Sequence, residues 1–205
     1  MEDKPPRTVR ENTCVYMVLA PGARGNSDGG AGRFRLQPAD ATGAPTAPAA
    51  VVSSRDLPEA VRALEKPSLR WVWHNTRSRY LPLLRAGVSV DRCHDLSLAR
   101  NILALSEYAA GTPYVRKLRE RGTSLPADAP EEPAPDQFTL FDAQPAAISL
   151  EDLLQELQDQ LAAVAGSPSR DRLQLLLAAE SAGAWWPPRW SIRACPGGGT
   201  CTKKS

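Results

Sequence analysis

The sequence predicts an α/β fold, because short β-type segments alternate with helical segments along the first 110 residues. The clearest indication is the run over residues 70–96, which predicts a strand, a helix, a second strand and the start of another helix. A proline-rich stretch and then leucines at helical spacing follow. The 205 residues therefore suit one domain of ordinary size with a linker and a helical segment attached.

Two strands and a helix are expected before that run. Residues 13–20 are rich in β-branched and aromatic side chains, and residues 33–37 alternate after a glycine-rich turn. Residues 40–48 contain the glycine and prolines of a turn region. A helix is predicted over residues 56–65, with Asp56 as its N-cap. Its apolar face consists of Leu57, Val61 and Leu64.

The central run predicts four elements in order. These are a strand over residues 70–73, a helix over residues 76–86, a strand over residues 88–93 and a helix over residues 96–108. Gly87 is a favoured C-terminal cap for the first of these helices, although that helix contains Pro82. Trp71 and Val72 should be strand residues, and the core should include Leu83, Leu84, Val88 and Ile102.

The composition changes after residue 111. Residues 112–148 hold six prolines among Ala, Asp and Glu, so they predict a linker that buries little apolar surface. Ser149 and Asp152 then resemble a capping box at the start of a leucine-rich helix. Residues 166–169 break this helix, and a second helix is predicted over residues 170–183.

Composition limits the setting and the partners. The net charge is +2, which is not the strongly basic balance of a dedicated nucleic-acid clamp. Arginines cluster within residues 70–85 and basic residues within 116–121, where they could contact phosphate or form a solvated helix face. The four cysteines follow no disulfide or zinc pattern, and neither a signal peptide nor a membrane-length apolar run is present. We expect a cytoplasmic protein without a membrane partner.

The last 21 residues do not read as part of a fold. They hold three of the five tryptophans and two of the four cysteines among prolines and glycines. Such a stretch is typical of GC-rich DNA translated out of frame, and permitted codons let the neighbouring frame continue the preceding helix. We therefore predict that residues 185–205 are an aberrant tail produced by a frameshift.

The central run resembles the middle of the 3′–5′ exonuclease domain of family A DNA polymerases. Asn75 stands at the end of its first strand, and His94 and Asp95 close its second. Residues 13–184 as a whole resemble the N-terminal part of the actinobacterial bifunctional 3′–5′ exonuclease/DNA polymerases. The resemblance implies a flexible N-terminus (1–12), a ribonuclease H-like exonuclease domain (13–111), a linker (112–148) and the helical start of a polymerase region (149–184), without the polymerase catalytic domain.

The resemblance also implies which residues should hold two metal ions. The family has Asp-x-Glu on the first strand, an Asp four residues after the strand-end Asn, and a late Asp paired with a Tyr. Here the predicted first strand contains no acid, and Arg79 stands four residues after Asn75. We therefore expect a degenerate and inactive exonuclease that needs no cofactor and has a structural or DNA-positioning role. Its degenerate positions are Asn75, Arg79 and Asp95.

Other roles remain open for the polar residues of this run. A working exonuclease would require Mg²⁺ and acids such as Asp28, Asp91 and Asp95. Asp95 is more simply the N-cap of the helix that begins at residue 96. His74 could contact a nucleotide or could be structural.

The proline-rich linker contains a second motif. Residues 137–141, Gln-Phe-Thr-Leu-Phe, are similar to the Gln-x-x-Leu-Phe peptide with which bacterial polymerases and repair proteins bind the sliding clamp. Leu140 and Phe141 would be adjacent apolar anchors, and Gln137 would hydrogen-bond at the rim of the pocket. The chain could accordingly be a clamp-binding module, or the patch could dock back on its own domain.

Overall fold

A mixed five-stranded sheet with helices on both faces forms the centre of the molecule. The computed structural model describes residues 15–22, 32–120 and 148–183. The strands are β1 (Tyr16–Pro21), β2 (Arg33–Ala39), β3 (Ala50–Ser53), β4 (Arg70–Trp73) and β5 (Cys93–Asp95), in the order β3-β2-β1-β4-β5. β1, β2 and β3 are antiparallel neighbours, whereas β4 and β5 run parallel to β1. The predicted α/β class is confirmed.

Six α-helices connect and follow these strands in the described ranges. They are α1 (Leu57–Leu64), α2 (Thr76–Arg85), α3 (Leu96–Leu105), α4 (Pro113–Glu120), α5 (Leu150–Ala165) and α6 (Arg170–Gly183). One turn of 3₁₀ helix, Glu107–Ala109, separates α3 from α4. Among the described helices, none combines the length and the apolar character needed to cross a membrane.

The first face of the sheet is covered by α1 and α2. Because successive strand residues point to opposite faces, Trp71 and Trp73 of β4 both face these helices. The ring of Trp73 stacks on Tyr80 of α2 with the centroids 5.9 Å apart, and its indole N–H donates to Thr76 Oγ1 at 2.9 Å. Leu83 and Val88 are buried in the same core, as expected, and Leu84 packs at its margin.

The end of α2 explains why Val88 is buried although it lies in no strand. Gly87 has φ +71°, a left-handed conformation that favours glycine. Its N–H donates to the Leu84 carbonyl, and the Val88 N–H donates to the Leu83 carbonyl, both at 2.9 Å. This Schellman pattern ends the helix and turns Val88 into the core beside Leu83. Pro82 is accommodated within α2 without ending it.

The second face of the sheet is covered by α5. Leu153 and Leu157 of α5 pack on Val18 of β1 and Val72 of β4. α3, α4 and α6 surround α5 and share a further apolar cluster with it, and Ile102 packs against that cluster. α5 and α6 lie in residues 149–184, which the resemblance assigns to the start of a polymerase region, and they pack against β1 and β5 respectively.

Several boundaries differ from those expected. β3 was not predicted, and the strand expected over residues 88–93 is instead β5, Cys93–Asp95. The helix expected to reach residue 108 ends at Leu105, and α4 lies within the segment read as linker. Pro113 is the first residue of α4, where its missing N–H costs no helical hydrogen bond. The remaining linker residues, 121–147, lie outside the described ranges.

Candidate functional site

The carboxyl ends of the parallel strands bring the candidate residues to one edge of the sheet. Trp73 of β4 pairs with Asp95 of β5, and Val18 of β1 pairs with Val72, so all three strands end at the same side. His74 and Asn75 follow β4 directly. We call the surface formed by His74, Asn75, Arg79 and Asp95 the carboxyl edge.

Asn75 immediately precedes α2, and Arg79 lies in the first turns of that helix. The Asn75 side-chain oxygen accepts a hydrogen bond from the Ser78 N–H at 3.2 Å, which makes Asn75 the N-cap. Arg79 lies four residues later and therefore on the same side of the helix. Its guanidinium carbon lies 5.8 Å from the centroid of the Phe34 ring. Burial lowers the pKa of Arg79, but a guanidinium stays charged at neutral pH.

Asp95 uses both carboxylate oxygens to hold helix starts. Oδ1 accepts from the Leu98 N–H at 3.0 Å and caps α3, and Oδ2 accepts from the Thr76 N–H at 2.7 Å at the start of α2. The side chain is buried. The expected capping role is therefore present, and Asp95 also ties α2 to β5.

His74 lies between the end of β4 and the start of α3. Its carbonyl accepts from the Ser97 N–H at 3.0 Å, and the Ser97 hydroxyl lies 3.2 Å from the imidazole Nε2. Burial, followed by the charge of Arg100, lowers the pKa of His74; Asp95 opposes the shift and Arg79 adds to it. His74 is therefore a half-buried, neutral imidazole at pH 7.

The residues at this edge do not fit a two-metal site. Met17, Val18, Leu19 and Ala20 of β1 are all buried apolar residues. Asp91 precedes the amino end of β5 whereas Asp95 ends the strand, so the length of β5 lies between them. Asp28 lies outside the described ranges. Throughout residues 15–22, 32–120 and 148–183, no three His, Cys, Asp or Glu side chains converge as metal ligands.

A polar network that sequence reasoning missed lies behind this edge, under α5. It consists of His94 on β5, Arg100 on α3, Tyr114 on α4, and Glu156 and Gln160 on α5. The Tyr114 hydroxyl donates to Glu156 Oε1 at 2.5 Å, and Gln160 Nε2 donates to the same oxygen at 2.7 Å. Arg100 donates to Oε1 through Nε at 3.0 Å and lies 2.9 Å from Oε2 through Nη2.

The orientation of Gln160 fixes the tautomer of His94. Gln160 Nε2 donates to the Leu96 carbonyl at 2.8 Å as well as to Glu156, so its Oε1 must face His94 Nε2, 2.9 Å away. His94 Nε2 therefore carries the hydrogen. Burial lowers the pKa of His94, and the hydrogen bond to Gln160 opposes this shift only in part.

The charges within the network compensate one another. Burial acts to raise the pKa of Glu156, but hydrogen bonds from Arg100 and Tyr114 outweigh it and leave the pKa below its usual value. Burial, with the hydrogen bond to Glu156, raises the pKa of Tyr114. Glu156 and Arg100 are thus an ion pair, and Tyr114 is a neutral donor. The network joins α3, α4 and α5 to the sheet, which is a structural role.

Neither the residues of the clamp-like motif nor a comparison with known proteins provides further evidence about this site. Gln137, Leu140 and Phe141 lie outside the described ranges, so their role stays a prediction. The chain matches no protein-family model, no curated protein and no solved structure. The fold and the carboxyl edge together define an α/β protein that has a mixed sheet and a positively charged side chain, Arg79, near the ends of its parallel strands.

Proposed function

We propose that the chain carries a degenerate, inactive 3′–5′ exonuclease-like domain of the ribonuclease H-like class, related to the N-terminal region of family A DNA polymerases. Its role is structural or DNA-positioning, in DNA replication or repair. The strand arrangement supports this class, because a ribonuclease H-like sheet has three antiparallel strands followed by two parallel ones in the order 3-2-1-4-5. The described sheet has that order and those directions.

The proposed loss of activity rests mainly on Arg79, which occupies the position where the resemblance expects a metal-binding Asp. Two-metal hydrolysis needs several carboxylates around divalent ions. Replacing one of them by a fixed positive charge converts attraction of the ions into repulsion. The apolar β1 supplies no substitute, and both oxygens of Asp95 already accept backbone hydrogen bonds.

The alternative function is an active Mg²⁺-dependent exonuclease that uses Asp28, Asp91 and Asp95. The positions of Asp91 and Asp95 before and at the end of β5 argue against it, because one ion cannot reach both.

A nuclease assay tests the proposal against this alternative. The protein is incubated with 5′-labelled single-stranded DNA in Mg²⁺, in Mn²⁺ and in EDTA, beside an active proofreading exonuclease. We expect no metal-dependent shortening. The variant Arg79→Asp should also be inactive, because β1 still offers no second carboxylate. Metal-dependent shortening that disappears in both Asp91→Ala and Asp95→Ala would establish the active enzyme instead.

A further inference from the structure

Helix α6 has apolar side chains on two faces, and the described part of the chain covers only one of them. Leu173 and Leu177 are buried in the apolar cluster that α6 shares with α3, α4 and α5. On the other side of the helix, Leu175 is 73% exposed, Leu176 is 40% exposed, and Ala179 is exposed as well. A helix that is apolar on both faces is normally buried on both. The second face of α6 therefore has the character of a contact surface.

The exposed apolar surface continues from α6 onto the end of α3. Six large apolar side chains are exposed among the described residues, and four of them are Leu105, Tyr108, Leu175 and Leu176. Tyr108 adjoins α6 directly. Its hydroxyl accepts a hydrogen bond from Arg172 at 3.0 Å, and the guanidinium carbon lies 5.7 Å from the centroid of its ring. Exposed apolar residues that gather in one place, unlike scattered ones, mark an interaction site.

The charges on this face of α6 complement a second copy of the same face. Arg172 and Glu180 are exposed and lie four residues before and four residues after Leu176, so the three side chains form one row along the helix. Within residues 15–22, 32–120 and 148–183, neither Arg172 nor Glu180 belongs to a salt bridge. In an antiparallel pair of helices with its two-fold axis at Leu176, Arg172 of each copy lies opposite Glu180 of the other.

The same charges argue against other arrangements. A parallel pair of α6 helices would place Arg172 against Arg172 and Glu180 against Glu180, and like charges that face each other in an interface oppose binding. Residues 184–205, which follow α6 directly, contain four basic residues and no acidic one. That segment complements Glu180 but not Arg172. A second copy in the antiparallel orientation complements both.

We propose that the exposed face of α6 is a homodimer surface on which two copies of the chain pair their α6 helices in antiparallel orientation. Leu175 and Leu176 form its apolar centre, and two reciprocal Arg172–Glu180 ion pairs flank that centre. Arg172 keeps its hydrogen bond to Tyr108, because a guanidinium has five N–H donors. α6 has 14 residues and is about 21 Å long, so the contact is smaller than a standard stable interface. The dimer is therefore weak and reversible. This inference goes beyond the proposed function and does not depend on it.

Sedimentation velocity of the full chain over a range of micromolar concentrations tests the dimer. We expect the wild type to change from monomer to dimer as its concentration rises. Arg172→Glu and Glu180→Arg should each raise the dimer Kd by about tenfold or more, because each creates two like-charge contacts in a two-fold pair. The double variant with both changes restores two opposite-charge contacts and leaves the net charge unchanged. Its dimer Kd should therefore return to within about threefold of the wild type.

Matched controls carry the same charge reversals elsewhere. Arg77→Glu on α2 and Glu59→Arg on α1 change exposed residues of the helices that cover the other face of the sheet. Each should change the dimer Kd by less than about twofold, because exposed charges outside a contact are screened by solvent. Leu175→Gln tests the apolar centre. It should raise the dimer Kd by about tenfold, because each copy loses the burial of one leucine side chain.

Several outcomes would overturn the proposal. A wild type that stays monomeric at every concentration would show that no second copy binds this face. A dimer that neither charge reversal weakens would lie on another surface, and a double variant no more dimeric than the single variants would exclude the antiparallel pairing. Growth beyond two copies would also contradict it, because a two-fold contact closes on itself. Circular dichroism checks that each variant is folded. Glu180→Arg and Leu175→Gln test the same face if the loss of the Arg172–Tyr108 contact unfolds Arg172→Glu.

Discussion

The two faces of the sheet are packed in different ways. Beneath α1 and α2 the core is apolar and aromatic, and the Trp73 indole N–H finds its acceptor three residues away, on Thr76. Beneath α5 an apolar centre adjoins a polar network whose partners come from four separate elements. The polar partner on the first face is local in sequence, whereas the network on the second face joins residues up to 66 positions apart.

The largest expected effect comes from a substitution in the aromatic core beneath α1 and α2. Trp73→Ala should lower the free energy of unfolding by about 4 kcal/mol, because it leaves a cavity where the indole stacks on Tyr80. Val51→Ala is the control, since Val51 lies on β3 and is 63% exposed. It should stay within about 0.5 kcal/mol of the wild type. Urea denaturation measures both, and equal values would show that Trp73 does not anchor this face.

The second prediction concerns a substitution that disrupts the polar network beneath α5. Glu156→Ala should cost about 3 kcal/mol, because Arg100 would lose its partner while partly buried and both Tyr114 and Gln160 would lose an acceptor. Glu151→Ala removes a comparable ion pair with Arg35 on the surface of the same helix, where Glu151 is 69% exposed. That change should cost much less than Glu156→Ala, because exposed ion pairs are screened by solvent and contribute little. A Glu156 effect no larger than the Glu151 effect would contradict a stabilising network.

The same contrast explains what the sequence could predict. Trp71 and Val72 in β4, Gly87 after α2 and the Ser149–Asp152 capping box all follow local rules, and the structure contains each of them. β3 has four residues after a proline-rich turn, so its identity depends on pairing with β2. Val88 and Val90 looked like strand residues because they are apolar, yet they fill the core from a loop.

The candidate site was predictable only in its sequence-local part. The Asn75–Arg79 spacing and the capping role of Asp95 could be read from neighbouring residues, because each belongs to a helix start. The second hydrogen bond of Asp95, to Thr76, spans 19 residues and could not be predicted. The network from His94 to Gln160 spans 66 residues. Its single local signal was a glutamine inside the leucine stripe of α5.

The third prediction tests the double role of Asp95. Asp95→Ala should cost about 2 kcal/mol, because it leaves the Leu98 and Thr76 N–H groups without their acceptor. Asp152→Ala in the exposed capping box of α5 is the matched control and should cost about 1 kcal/mol. Thermal and urea denaturation would show the difference. A smaller effect for Asp95 than for Asp152 would mean that the bond to Thr76 contributes nothing.

The fourth prediction concerns pH. Because burial lowers the pKa of His94 and of His74, the unfolded chain binds protons more readily than the folded one as pH falls below about 6.5. The free energy of unfolding should therefore have its full value above that pH and should decrease between about pH 6.5 and 5. The slope should be at most about 1.4 kcal/mol per pH unit for each histidine. His94→Gln should reduce the slope, and adding His74→Gln should remove the rest. An unchanged slope in the double variant would assign it to other groups.

The smallest expected effect on stability belongs to the clamp-like peptide, and it distinguishes a binding module from a patch that docks on its own domain. If Phe141 is an anchor for a sliding clamp, Phe141→Ala should abolish capture of the protein by immobilised bacterial clamp while changing the free energy of unfolding by less than about 0.5 kcal/mol. Phe138→Ala is the control, because Phe138 occupies a variable position of the motif and should leave capture unchanged. A docked patch gives the reverse result, since removing a buried phenyl ring from the fold costs about 3 kcal/mol or more. Destabilisation by Phe141→Ala without any clamp capture by the wild type would therefore assign residues 137–141 to the fold and would end the clamp interpretation.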